Sequence, residues 1–236
     1  PMARTVTDMA KLLDAMVGYD PEDPVTAMGV GHVPESYTEF LDSEGLRGAR
    51  IGVLRESMGR DSEPESEDFA KITLVFDRAV GELQAAGAAV VDPIVIPELH
   101  ESLAMLASNS TEMTAEAFRL FFGRSADPPF VSLQEMTQSA NFPKVFRYAR
   151  NRLTTVTDDE RHGRSVVARE KLKINILKVM ADNELDAIVY KSVEHQPTLI
   201  ADGVNPPYVN TKGVPYLNTF LVFVPAIAVP AGFTTD

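Results

Sequence analysis

The chain has 236 residues, 44% of them hydrophobic, enough to bury the core of one large α/β domain or two small ones. The 34 acidic side chains outnumber the 22 basic ones, and the resulting formal charge of −12 disfavours wrapping a phosphate backbone. The lack of cysteine excludes thiol nucleophiles, disulfides and cysteine-ligated zinc.

Thr5-Val6-Thr7-Asp8 is a capping-box sequence and predicts a helix at once, with Val6, Met9, Ala10, Leu13, Met16 and Val17 at helical spacing and Gly18 as a left-handed stop. Residues 19 to 48, rich in Pro, Gly and acidic groups, read as a long connection with a short helix near Ser36 to Leu41. Leu46 to Leu54 reads as a buried strand. From Ser66 onward Phe69, Ile72, Val75, Phe76, Ala79, Val80 and Leu83 share one helical face, which closes at Gly87 before a strand at Ala89-Val90-Val91. Such a strand, helix, strand unit lays two parallel strands in one sheet with the helix over a face.

From Pro97 to about residue 181 the pattern is helical, a cap or wall with breaks at Asp127-Pro128-Pro129 and Asn141-Phe142-Pro143. Its last helix carries Val166, Val167, Glu170, Ile174, Leu177 and Met180 in period and stops at Asn183. Leu185 to Tyr190 predicts another buried strand, Lys191 to Lys212 a polar loop, and Val224 to Phe233 a core strand entering a turn. A first helix without a neighbour to pack on, and a last turn without a return strand, suggest a piece of a larger protein. No repeat or low-complexity tract divides it, so one domain over 1–236 is the simplest organisation. No signal-peptide pattern follows Pro1-Met2-Ala3-Arg4, and Leu217 to Ala231 is too short for a membrane span and contains Pro225 and Pro230. A soluble, cytoplasmic protein with no membrane partner is expected.

The chemistry-bearing residues form no catalytic set of their own. His32, His100, His162 and His195 lack the spacing of a zinc-hydrolase helix, so neither metal nor cofactor is expected. His195 lies in a loop after a buried strand, where α/β proteins place ligand-contacting groups, but a solvated loop histidine is the simpler reading. Gly29-Val30-Gly31-His32-Val33-Pro34 fails as a dinucleotide loop, because Pro34 stands at the third glycine position and no strand precedes it. Lys191 and Ser192 are adjacent in an extended segment and point to opposite faces, which argues against a serine-lysine dyad. Asp158-Asp159-Glu160 and the acidic residues from Glu63 to Asp68 precede helices and read as solvated caps that complement the helix dipole.

The opening, Pro1-Met2-Ala3-Arg4-Thr5-Val6-Thr7-Asp8 through Gly18 with Asp20 to Pro24 after it, resembles the segment that follows the Gly/Ser-rich signature in amidase signature family hydrolases. Leu46 to Val53, Leu185 to Val189 and Pro225 to Phe233 are similar to three later strands of that family, in the same order. The resemblance implies a mixed central β-sheet flanked by helices, present here only as its C-terminal part. It also implies hydrolysis of carboxamide C–N bonds by a lysine, a bridging serine and a nucleophilic serine, all upstream of Pro1. The chain would then supply scaffold and pocket wall, carry no catalytic residue and be inactive alone.

The resemblance places Arg4 as structural support of the site, and Ser192, His195, Phe220 and Phe223 as substrate-binding candidates. Where many members have Pro-Thr after the strand ending near Tyr190, this chain has Lys191-Ser192; Phe220 and Phe223 stand where Asn and Gly are common. The implied partner is a small-molecule amide, with no nucleic acid and with a homodimer as one assembly. The alternatives are a non-catalytic binding module on the same scaffold and a glutamyl-tRNA amidotransferase-type subunit.

Overall fold

The computed structural model describes residues 2–60, 62–106, 111–139, 159–205 and 224–235, which group into two compact units, 1–49 and 50–236. In the first unit, helix α1 (Val6–Met16) starts as its capping sequence predicts, with the Thr5 hydroxyl accepting from the Asp8 amide at 3.0 Å. Its end differs from expectation. Val17 is extended at φ −87°, ψ 134°, and Gly18 is not left-handed. The Val17 amide still reaches the Leu13 carbonyl at 2.9 Å, so the last turn closes without a glycine cap.

The expected short helix near residue 36 is a 3-10 turn, Tyr37–Phe40. The Ser36 hydroxyl donates to Asp14 of α1 at 2.7 Å, and the Tyr37 amide donates to the other Asp14 oxygen at 2.7 Å. Asp14 thus ties the turn to the helix. A second 3-10 turn, Pro24–Gly29, lies in the proline-rich connection.

The second unit contains the predicted strand, helix, strand: β1 (Arg50–Leu54), α2 (Glu67–Ala85) and β2 (Ala89–Ile94). With β3 (Ala187–Val189) the sheet order is β2-β1-β3, and every described pairing is parallel. The α/β class with flanking helices is as expected, while no antiparallel strand of a mixed sheet occurs among the described residues. Ile51 to Leu54 form an uninterrupted apolar run because β1 is central and buried on both faces. Ser66 caps α2 by accepting from the Phe69 amide at 3.1 Å, and Gly87, at φ 97°, turns the chain into β2. Register slips by one residue between Gly52 and Leu54, opposite the stretch of β2 that holds Pro93, which has no amide to give to the ladder.

Side-chain alternation along the strands divides the core in two. Val53, Val90 and Val189 face Phe76 and Val80 of α2. On the other face Leu54, Val91, Ile94 and Ile188 meet helices α3 (Leu99–Met105) and α6 (Asp159–Asp182). Between these lie α4 (Thr111–Phe122) and α5 (Leu133–Gln138), so the described part of 97–181 is helical as predicted, with the Asp127-Pro128-Pro129 break between α4 and α5. The Asn141-Phe142-Pro143 break lies outside the described residues. A short helix α7 (Ile200–Val204) follows β3.

Two expectations are corrected. Helix α6 buries Ser165, Ala168, Leu172, Ile176 and Val179, whereas the expected face is turned out, with Val166, Val167, Ile174 and Leu177 exposed. Both sets recur at three- and four-residue spacing, so period alone does not choose between them. The predicted late strand is also absent: residues 224–233 have no ladder partner among the described residues, and Ile227, Val229 and Phe233 are exposed. A strand exists only through its neighbour, and Pro225 and Pro230 have no amide to contribute.

Gly52 sits where the sheet meets α6. A Cβ there would stand 2.6 Å from Leu185 Cδ1 and 3.1 Å from two Ile94 carbons. Gly52→Val is therefore expected to lower the unfolding free energy by about 1–3 kcal/mol through overpacking, read from the shift of a urea transition, with Gly81→Ala in α2 as the uncrowded control.

Candidate functional site

Because β1 and β3 run parallel, the loops that follow them leave the same edge of the sheet, the edge where open α/β proteins gather ligand-contacting groups. The loop after β3 begins with Lys191, whose side chain is only 1% exposed. Its Nζ lies 3.1 Å from Glu194 Oε1, donates to Thr73 Oγ1 at 2.9 Å and sits 3.9 Å from the centre of the Phe69 ring. The ammonium is held by a carboxylate, a hydroxyl and an aromatic face, with Ser192 not among these partners. This agrees with the argument from strand geometry against a dyad.

Glu194 is equally buried, at 2% side-chain exposure. Its carboxylate accepts from the Gly59 amide at 3.1 and 3.0 Å and from the Ser62 hydroxyl at 2.7 Å, both in the loop after β1. Two charges withdrawn from water persist only when paired and hydrogen-bonded, and here every partner is in place. His195 comes next. Its Nε2 lies 2.9 Å from Asp68 Oδ2 in the first turn of α2, and its Nδ1 lies 2.6 Å from the Gln196 carbonyl. His195 is thus no solvated loop histidine, and Asp68 is more than a solvated cap. Gln196 in turn donates to Thr234 Oγ1 at 3.1 Å, which joins the loop to the segment 224–235.

A second knot stands at the ends of β1 and β2. Arg55 grips Asp92 with two nitrogens at 2.6 and 2.7 Å and reaches Asp77 of α2 at 2.8 Å. The Asp92 bond, opposed in part by burial and reinforced by Asp77, raises the guanidinium's affinity for its proton above the ordinary value. Glu56, the next residue, accepts from the Ile96 amide at 2.8 Å.

Of the residues singled out from sequence, Ser192 and His195 occur together in this loop, Ser192 being half-buried. Phe220 and Phe223 lie outside the described residues. Arg4 is exposed in the segment leading into α1, without an ion-pair partner among the described residues. Sequence reading missed Lys191, Glu194, Asp68, Thr73, Gly59 and Ser62 as a connected group. The one local signal was a lysine directly after an apolar strand with a carboxylate three residues on.

Tyr190 ends the strand side of the same loop and packs against the α3–α6 core. Burial pushes its hydroxyl up to about 12, from an ordinary value of 10.0. The unfolded chain releases this proton first, so Tyr190 stabilises the fold up to pH about 10 and loses that contribution as pH rises toward about 12. Urea midpoints of the protein should fall more steeply across that window than those of Tyr190→Phe, while the two should run parallel below it.

The unit is an α/β domain whose sheet edge carries one buried and one partly exposed polar knot and, among the described residues, no group of three or more His, Asp or Glu able to hold a metal ion. No helix among the described residues is long and apolar enough to cross a membrane. The Amidase family model matches residues 1–236, and the chain belongs to that family. It is 28% identical over 239 residues to a probable amidase of Arabidopsis thaliana, covering 92% of this chain and 43% of that one. It is 27% identical over 253 residues to a glutamyl-tRNA(Gln) amidotransferase subunit from Nocardia farcinica, covering 100% of this chain and 49% of that protein. Among solved structures, native peptide amidase from Stenotrophomonas maltophilia superposes with a TM-score of 0.57 at 25% identity, over 82% of this chain and 40% of that one. The chain therefore spans about half the length of the curated relatives it matches.

Proposed function

We propose that this chain is the scaffold and substrate-pocket portion of an amidase that hydrolyses carboxamide C–N bonds, with the catalytic lysine, bridging serine and nucleophilic serine in sequence upstream of Pro1. The observation that carries the reading is the family match over the whole of 1–236. In this mechanism the upstream lysine, through the bridging serine, takes the proton of the nucleophile, and backbone amides of a glycine-rich loop hold the tetrahedral oxyanion. The residues here do what lies around that chemistry. The loop after β3, with Ser192 and His195, forms part of the wall that receives the acyl group of a small amide, and Phe220, Phe223 and Arg4 keep the roles that the family resemblance assigns to them.

The chain alone should give no turnover of simple aryl amides, and the longer protein that contains it should release the amine product. A longer protein that is inert to every amide offered, or that lacks the upstream lysine and serines, overturns the reading. A second reading, in which the chain is part of an amidotransferase that works on a misacylated tRNA, is favoured by the match to the Nocardia protein over the full chain. Glutamine-dependent amidation that requires co-purifying partner subunits and tRNA would decide for it.

A further inference from the structure

The loop after β3 has an unusual construction. Lys191 and Glu194 are buried to 1% and 2% exposure, whereas Val193 between them is 41% exposed and Ser192 is half-buried. The two ends of the loop plunge inward, and its tip is presented outward. We propose that the Lys191–Glu194 pair is the positioning element of this loop, holding Ser192 and His195 in one arrangement and so setting how tightly the parent enzyme binds its amide; the second clause rests on the pocket reading above.

Three features support this. First, the pair joins segments that are remote in sequence: Gly59 and Ser62 after β1, Phe69 and Thr73 on α2, and the loop itself. A shift of the loop breaks several charge-assisted bonds together, so intermediate positions are disfavoured. Second, a buried ion pair is rarely the most stabilising filling for its space, since apolar residues of similar volume do as well or better; its directional bonds can instead specify one arrangement. Third, His195 directly follows Glu194 and has both ring nitrogens within hydrogen-bond distance of oxygens, Asp68 Oδ2 at 2.9 Å and the Gln196 carbonyl at 2.6 Å. Asp68 and Gln196 hold the ring, while the buried Glu194 anchors the adjoining backbone from which the ring reaches them.

The test separates position from stability. The double variant Lys191→Met/Glu194→Leu fills the same space with apolar groups, and Glu194→Gln keeps the shape while removing the charge. In the 236-residue chain, amide exchange at Gly59 and the His195 imidazole resonances report the loop, and the urea midpoint reports the fold. The double variant is expected to keep a midpoint near that of the unmodified protein, to exchange the Gly59 amide about tenfold faster and to shift the His195 signals. Glu194→Gln keeps an oxygen facing Lys191 and is expected to shift His195 in the same direction at a lower urea midpoint, and either folded variant decides the test. In the longer protein, KM for 4-nitroacetanilide should rise about tenfold with kcat little changed. Unaltered Gly59 exchange and His195 signals in a folded variant overturn the positioning role. Altered signals with an unchanged KM overturn the link to substrate, and a longer protein with no amidase activity sinks the pocket reading while the loop result stands.

Discussion

Glu194→Ala is expected to lower the unfolding free energy by about 3–5 kcal/mol, because it strands the Lys191 ammonium in a site from which water is excluded. The loss is larger than that of a surface pair because both side chains are almost fully buried and, among the described residues, the Thr73 hydroxyl and Phe69 ring are what remains against a full charge. Urea titration of Glu194→Ala, Lys191→Met and the pair together measures it. The two single losses should not add: once Lys191 has become methionine, removing the carboxylate should cost markedly less, since no buried cation is left unpaired. Additive losses would show that the two groups act independently. By contrast Lys178 and Asp182, paired on the exposed surface of α6, should show a coupling of about 0.5 kcal/mol or less.

Leu172→Ala should cost about 2–5 kcal/mol, the other large effect. Leu172 is 2% exposed and lies in the cluster with Leu99, Leu103, Ile176 and Leu185, so truncation leaves a cavity between helices α3 and α6 and the sheet. Ile174, two positions along the same helix, is 60% exposed. Ile174→Ala is expected to stay within about 0.5 kcal/mol of the unmodified protein. The comparison bears directly on the two apolar stripes of α6, since the stripe predicted from the periodicity contains Ile174 and the buried one contains Leu172. Equal losses at the two positions would mean that the exposed stripe is also packed in solution. Because Lys171 pairs with Glu98 and Asn175 donates to the Pro97 carbonyl at 2.7 Å, the polar flanks of Leu172 independently hold α6 against the entry to α3.

Much of the fold was legible because some residues act locally. Thr5 and Ser66 cap helices through hydroxyls that reach amides three residues on, which depends on nothing beyond the next turn. Ile51 to Leu54 announce a buried strand by being apolar without alternation, and the α2 face from Phe69 to Leu83 is buried or half-buried at every position named. The late segment 224–233 misled because its apolar composition meets the requirement of a strand's side chains but not that of its backbone. The site was less legible still. Ser192 and His195 were found by their place after a strand, whereas Glu194, the residue that organises their loop, is recognisable only through Gly59 and Ser62, which lie 135 and 132 positions away.

By itself the sequence determined the family, the α/β class, the order of strand and helix, and the helix starts, since these rest on short-range periodicity, capping and motif content. Tertiary structure alone decided which stripe of α6 is buried, that Lys191 serves Glu194 and Thr73, and that His195 meets Asp68. The physical reason is the same for all three. Burial and charge pairing are properties of a residue's neighbours in space, and parallel strands bring together loops that the chain separates by more than a hundred residues.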